Sequence, residues 1–117
     1  MTKIRGAVVL VTGGASGIGR LMGGLCLQDG AERLIIWDIN KEKLDQTTRE
    51  LKALHFRVDP YVVDVSVPEQ VRQTAAVVLE QTGGVDILIN NAGIITGNRM
   101  FREMSHDEIT STLLVNT

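Results

Sequence analysis

Residues 7–19 read AVVLVTGGASGIG. The first six are apolar or β-branched, which suits a strand buried on both faces. Four of the next seven are glycine, and the segment after them has helix-compatible spacing. Glycine allows a tight turn, and it lets backbone approach a neighbour or a ligand closely. The free N–H groups and the positive dipole end of a helix starting there favour an anion such as phosphate. A strand-to-helix turn with no ligand would use the same residues, so the loop alone does not decide.

The rest of the chain repeats the alternation. The pattern predicts strands at 7–12, 33–38 (RLIIWD), 58–64 and 85–90 (VDILIN). Helices are expected over 18–29, with Ile18, Met22 and Leu25 on one side and Gly30 as the stop, and over 41–54. The second is capped by Asn40 and carries Leu44, Leu51 and Leu54 on one stripe. Gly23 and Gly24 should weaken the first helix, and close packing on a sheet would account for them. Pro60 places the third strand at an edge, because proline cannot donate to a ladder. Ser66 and Glu69 have capping-box spacing with Pro68 inside the first turn, and that helix should stop at Gly83-Gly84. Ser105 and Glu108 repeat the spacing and open a last helix. Apolar strands joined by helical crossovers predict an α/β fold, a doubly wound parallel sheet with helices on both faces.

Composition narrows the function classes. The 117 residues are 44% hydrophobic and 22% charged, with net charge −2, the profile of one globular domain. There is no basic stripe, and only three aromatics accompany Trp37, so nucleic acid is not an expected partner. Cys26 is the single cysteine. It excludes an internal disulfide and suits a reducing, cytoplasmic setting. No run is long enough for a membrane helix, and nothing resembles a signal peptide or a linker.

Asp38 ends the second strand about 20 residues beyond the glycines, where a carboxylate can bind the ribose hydroxyls of NAD. A 2′-phosphate would be repelled there, and no Arg or Lys lies in the loop or directly after Asp38, so NAD is expected over NADP. Lys41 and Arg20 are near enough in sequence to leave that choice open, and a solvated strand end or a helix cap would also use an aspartate. Asp64-Val65, Asn90-Asn91-Ala92-Gly93 and Val115-Asn116-Thr117 fall at the ends of later elements, the side on which open α/β sheets bind ligands.

With these segments in view, the chain resembles the short-chain dehydrogenase/reductase family over essentially its whole length. TGGASGIG matches the TGxxxGIG glycine motif, NNAG the next hallmark, and WD, DV and VNT fall in order. The spacing is Gly13-x-x-x-Gly17-x-Gly19 rather than G-x-G-x-x-G, which sets it apart from other dinucleotide folds and from epimerase-like relatives. RLIIWDINKEKL and DILINNAGIITG look like retinol and hydroxysteroid dehydrogenase-like members, which act on large apolar alcohols and ketones; some are membrane-anchored.

The resemblance implies a Rossmann sheet, here of four strands in the order 3-2-1-4, with residues 1–117 as the N-terminal part of one domain. It implies that Gly13, Ser16, Gly17, Ile18 and Gly19 line a pyrophosphate. Asp38 and Ile39 would hold the adenosine ribose and flank the adenine, and Asp64 would meet the adenine amino group with Val65 beside it. Asn91, Ala92 and Gly93 would contact the cofactor, Asn90 would brace the sheet, and Asn116 would help organise a water-linked proton relay. It also implies a small-molecule alcohol or ketone substrate and a homo-oligomer.

One departure stands out. The family's chemistry needs a serine and a Tyr-x-x-x-Lys pair, in which a positioned group with a tuned pKa moves the alcohol proton. Tyr61 is the only tyrosine and Val65 stands four residues after it. His55 and His106 read as surface residues, Cys26 as core, Ser105 as a cap, and the charges of 41–50 as a solvated helix face. Alone, the chain is expected to be inactive and, with an apolar fourth strand at the sheet edge, prone to self-association. Two readings follow: the cofactor-binding half of an NAD(P)-dependent oxidoreductase, or a non-catalytic module that binds NAD or pairs with another subunit.

Overall fold

The structure, a computed structural model, describes residues 3–92. Gly93, Ser105, His106, Glu108, Asn116 and the expected last helix lie outside them. The described elements run β1 (Val8–Thr12), α1 (Gly17–Gln28), β2 (Arg33–Asp38), α2 (Lys41–Ala53), β3 (Val58–Val62), α3 (Pro68–Thr82) and β4 (Ile87–Asn90). The four strands form one sheet in the order β3-β2-β1-β4, and each neighbouring pair is parallel.

β1 and the centres of β2 and β4 read as continuous apolar runs because both faces are covered. Val9, Val11, Leu34, Ile36, Ile87 and Ile89 pack with Cys26, Leu27, Leu44 and Leu51 under α1 and α2. Val8, Leu10, Ile35, Trp37 and Leu88 pack with Val71, Ala75 and Val78 under α3. Each such side chain withdrawn from water contributes about 1.5–3 kcal/mol. Strand order reverses after β3: α3 carries the chain to the opposite face and returns it beside β1. Thr12 is therefore level with both Trp37 and Asn90, and the carboxyl ends of β2, β1 and β4 open together at this switch point.

β3 is an edge strand with Pro60 in it, as expected. Asn40 caps α2, its side chain accepting from Lys43 N at 3.0 Å. Gly83 stops α3 with φ 80°, its N–H donating to Leu79 O at 2.8 Å. Gly30, at φ 100°, follows α1.

Five expectations need correction. The buried side of α1 is Gly19, Gly23, Cys26 and Leu27, while Ile18 and Leu25 are 67% and 51% exposed. At Gly19 and Gly23 the helix lies so close to its neighbours that a Cβ would clash, and only past them does the inner face take Cys26 and Leu27. Of the glycine pair, Gly23 is the packed one: a Cβ there would stand 2.9 Å from Leu34 Cδ2, whereas Gly24 has nothing within 4 Å. On α2 the stripe is Leu44, Thr47, Thr48 and Leu51; Leu54 has passed the helix end and is 64% exposed.

The Ser66–Glu69 capping box does not form. Pro68 takes the first helical position, which makes Val67 the N-cap, and the Ser66 hydroxyl donates instead to Asp64 Oδ1 at 2.6 Å. Gln70 reaches back in its stead, Oε1 accepting from Asp64 N at 2.9 Å. The third and fourth strands are shorter than expected. Asp64 is drawn into its turn with Ser66, and the Asp86 carboxylate accepts from Val8 N at 2.8 Å, a side chain standing where a ladder carbonyl would.

These glycines give a direct test. Gly24→Ala should raise unfolding free energy by about 1 kcal/mol, and Gly23→Ala should lose that gain to the clash with Leu34. Urea denaturation of both variants checks the pair; equal gains would contradict the packing described.

Candidate functional site

The site is built on the end of β1. Gly13 leaves the strand at φ 67° and its N–H donates to Trp37 O at 2.7 Å. The loop then runs to Ser16, whose backbone is extended and whose side chain caps nothing. Gly17 opens α1 at φ 58°, and among the described residues a Cβ there would meet nothing within 4 Å. The first-turn N–H groups of Gly17, Ile18 and Gly19 have no intrahelical acceptor, so the loop presents uncapped donors beside open space.

Gly19 sets how close the helix comes. A Cβ at this position would lie 2.8 Å from Asn91 Nδ2 and would overlap the Gly13 carbonyl. Asn91 Nδ2 donates to that same carbonyl at 3.2 Å. Thr12 Oγ1 donates to Asn90 Oδ1 at 2.9 Å and accepts from Ala92 N at 3.2 Å. The ends of β1 and β4 are thus stitched into one rim. Asn90 braces the sheet, and Asn91 and Ala92 sit beside the glycine loop.

Asp38 closes the other side. Its Oδ2 accepts from Ala15 N at 3.0 Å and its Oδ1 from Asn40 N at 2.9 Å. The carboxylate expected to meet a ribose therefore also ties β2 to the glycine loop. Ile39, beside it, is 66% exposed. The nearby cations are engaged elsewhere: Arg20 pairs with Glu50, and Lys41 Nζ lies 2.7 Å from Asp45 Oδ2.

Asp64 and Val65 follow β3, whose end is tied to β2 by Val63 N donating to Asp38 O at 3.1 Å. Asp64 bonds locally, and the Ser66 hydroxyl, then the Ser66 N–H, hold its carboxyl below the ordinary range. It is a charged acceptor at neutral pH. Thr12 and Thr47 belong to this region and escape a reading by motif roles. Thr12 could have been noticed as the polar end of an apolar run; Thr47 carries no signal in a helix rich in charge.

Those of the residues set aside that the structure describes stay aside. Tyr61 lies on β3, its hydroxyl 3.0 Å from Gln81 Oε1. Burial and the charge of Asp59 raise its pKa against the pull of Arg33, the wrong direction for an acid–base tyrosine. Cys26 is a buried core thiol, raised by desolvation and by Asp29. His55 is an exposed turn residue at φ 70°. Among the described residues no cluster of His, Cys, Asp and Glu could hold a metal, and no helix is long and apolar enough to cross a membrane.

Comparison with known proteins shows the family and the fold. The short chain dehydrogenase family profile matches residues 7–117. The chain belongs to that family of oxidoreductases. It is 38% identical over 114 residues to a 3-oxoacyl-[acyl-carrier-protein] reductase of Thermotoga maritima, covering 97% of this chain and 46% of the relative. It is 42% identical over 117 residues to epidermal retinol dehydrogenase 2 of Mus musculus, covering 97% and 37%. Among solved structures, NAD+-bound xylitol dehydrogenase superposes with TM-score 0.72 at 32% identity, covering 79% of this chain and 35% of that one. L-sorbose reductase from Gluconobacter frateurii, complexed with NADPH and L-sorbose, gives TM-score 0.72 at 36% identity, covering 78% and 35%. The chain spans less than half the length of these relatives.

The contact at Gly19 should be intolerant of any side chain. Gly19→Ala is expected to cost about 2–3 kcal/mol through overpacking against backbone, read as a lowered urea midpoint. A variant as stable as wild type would mean the helix can move off the loop.

Proposed function

We propose that residues 1–117 are the N-terminal part of a dinucleotide-binding domain that holds NAD for an alcohol–carbonyl oxidoreductase. The observation that carries this is the pairing of two features on one loop: uncapped helix N–H groups beside open space at Gly17, and the Asp38 carboxylate bonded to the same loop at Ala15. The first suits a pyrophosphate. The second suits a pair of ribose hydroxyls, because a carboxylate oxygen has a further lone pair after accepting one N–H.

In this reading Gly13, Ser16, Gly17, Ile18 and Gly19 hold the pyrophosphate. Asp38 and Ile39 take the adenosine ribose and one adenine face, Asp64 and Val65 take the adenine amino edge, and Asn91, Ala92 and Gly93 flank the cofactor from β4. When bound, the nicotinamide supplies hydride-transfer chemistry. These residues bind and orient it, and Asn116 would support the proton relay.

NAD is favoured over NADP because a 2′-phosphate would meet Asp38, while Arg20 and Lys41 are each paired with a carboxylate of their own. The similarity to a retinol dehydrogenase supports an apolar alcohol or ketone as substrate. The 117 residues contain no Tyr-x-x-x-Lys. The chain alone should bind cofactor without turning it over, and the reading as a non-catalytic NAD-binding module shares the same site.

Calorimetry with both cofactors checks this. The chain should bind NAD at least about tenfold more tightly than NADP, and Asp38→Ala should erase most of that preference by weakening NAD binding. Equal affinity for the two, or tighter NADP binding, would overturn the assignment of Asp38.

A further inference from the structure

Thr47 and Thr48 are both buried on the inner stripe of α2. Thr48 does what a helical threonine ordinarily does: its hydroxyl donates to the carbonyl one turn back, Leu44 O, at 2.7 Å. The Thr47 hydroxyl instead donates to the carbonyl of Ala15, 32 residues away in sequence, at 2.8 Å. That carbonyl belongs to the glycine loop, and the N–H of the same residue donates to Asp38 Oδ2 at 3.0 Å. Ala15 is thus held from α2 at its carbonyl and from β2 at its amide. It is 4% exposed, so water does not readily replace either partner.

The consequence lies in the next amide. The peptide bonds are trans, and a trans peptide directs its C=O and N–H to opposite sides. Holding the Ala15 carbonyl toward α2 therefore directs the Ser16 N–H away from α2, and Ser16 itself is exposed. If that peptide turned over, a carbonyl oxygen would face the place where an anion is expected.

We propose that Thr47 is a positioning residue for the phosphate-holding loop. It fixes the Ala15–Ser16 peptide so that the Ser16 N–H donates to a phosphate oxygen, while Asp38 holds the preceding Gly14–Ala15 peptide. This rests on the cofactor reading above, and Thr47 itself touches no ligand.

The test separates phosphate from nucleoside. Adenosine and ADP are titrated into the chain and into Thr47→Val and Thr47→Ser, followed by amide NMR. Thr47→Val keeps the shape and removes the hydroxyl. It should weaken ADP binding about tenfold and leave adenosine within about twofold, and Thr47→Ser should restore ADP binding. A purely structural role would lower stability and weaken both ligands in parallel; that outcome, or unchanged ADP binding in Thr47→Val, overturns the proposal. Wild type that binds neither ligand overturns the cofactor reading and this proposal with it. Should Thr47→Val not fold, inorganic pyrophosphate titrated into wild type decides: the Ser16 amide should shift, and an unmoved Ser16 amide counts against the proposal.

Discussion

The closest constraint in the molecule is the contact between the first turn of α1 and the backbone that leaves β1. Gly19 sits where any Cβ would overlap the Gly13 carbonyl. That contact sets how near the helix end comes to the sheet, and with it where the first-turn N–H groups stand. The inner face of α1 is shaped by the same demand, with Gly23 against Leu34 one turn further on. The helix therefore contributes less apolar burial than its length would allow, and Ile18, Leu21 and Leu25 remain exposed. A site for an anion and a tightly seated helix are one geometric decision here.

Around that contact the sheet supplies the other partners. Helices on opposite faces reverse the strand order between β1 and β4, which brings Thr12, Asn90 and Asn91 to one rim and Asp38 to the next. The rim is held by side chains bonding to backbone: Asn91 to Gly13, Asp38 to Ala15, Thr47 to Ala15. Such bonds fix a loop that has no ladder of its own, and they cost its orientation when one partner is lost. Asp38 has a double duty, since the carboxylate placed for a sugar also braces the loop for its phosphates.

Much of this was legible before any coordinates. The edge placement of β3 by Pro60, the Asn40 cap and the Gly83 stop each follow from a local rule about hydrogen bonds or φ, whereas the strand order is implied by the family resemblance. The failures have a common physical origin: they depend on what lies across from a residue. Apolar spacing alone could not show that α1 turns Gly19 and Gly23 inward and leaves Ile18 and Leu25 outside. Ser66 has the right spacing for a cap, but Pro68 moves the helix start past it and Asp64 claims its hydroxyl. Thr47 looks like an ordinary polar position until the fold brings Ala15 opposite it. The strand ends that carry the family's motif were readable as a set, because their residue types are dictated by a shared edge of the sheet rather than by a single neighbour.

The central claim is that the loop between β1 and α1 is where the cofactor's phosphates rest. Titrating NAD into the isotope-labelled chain and following its amides by NMR tests it most directly. The account requires saturable shifts concentrated at Ser16, Gly17, Ile18 and Gly19 and at Asp38 and Ile39, with Gly83 and Gly84 at the opposite end of the sheet unmoved. Shifts that avoid the glycine loop, or that fall at the Gly83 end, would contradict it.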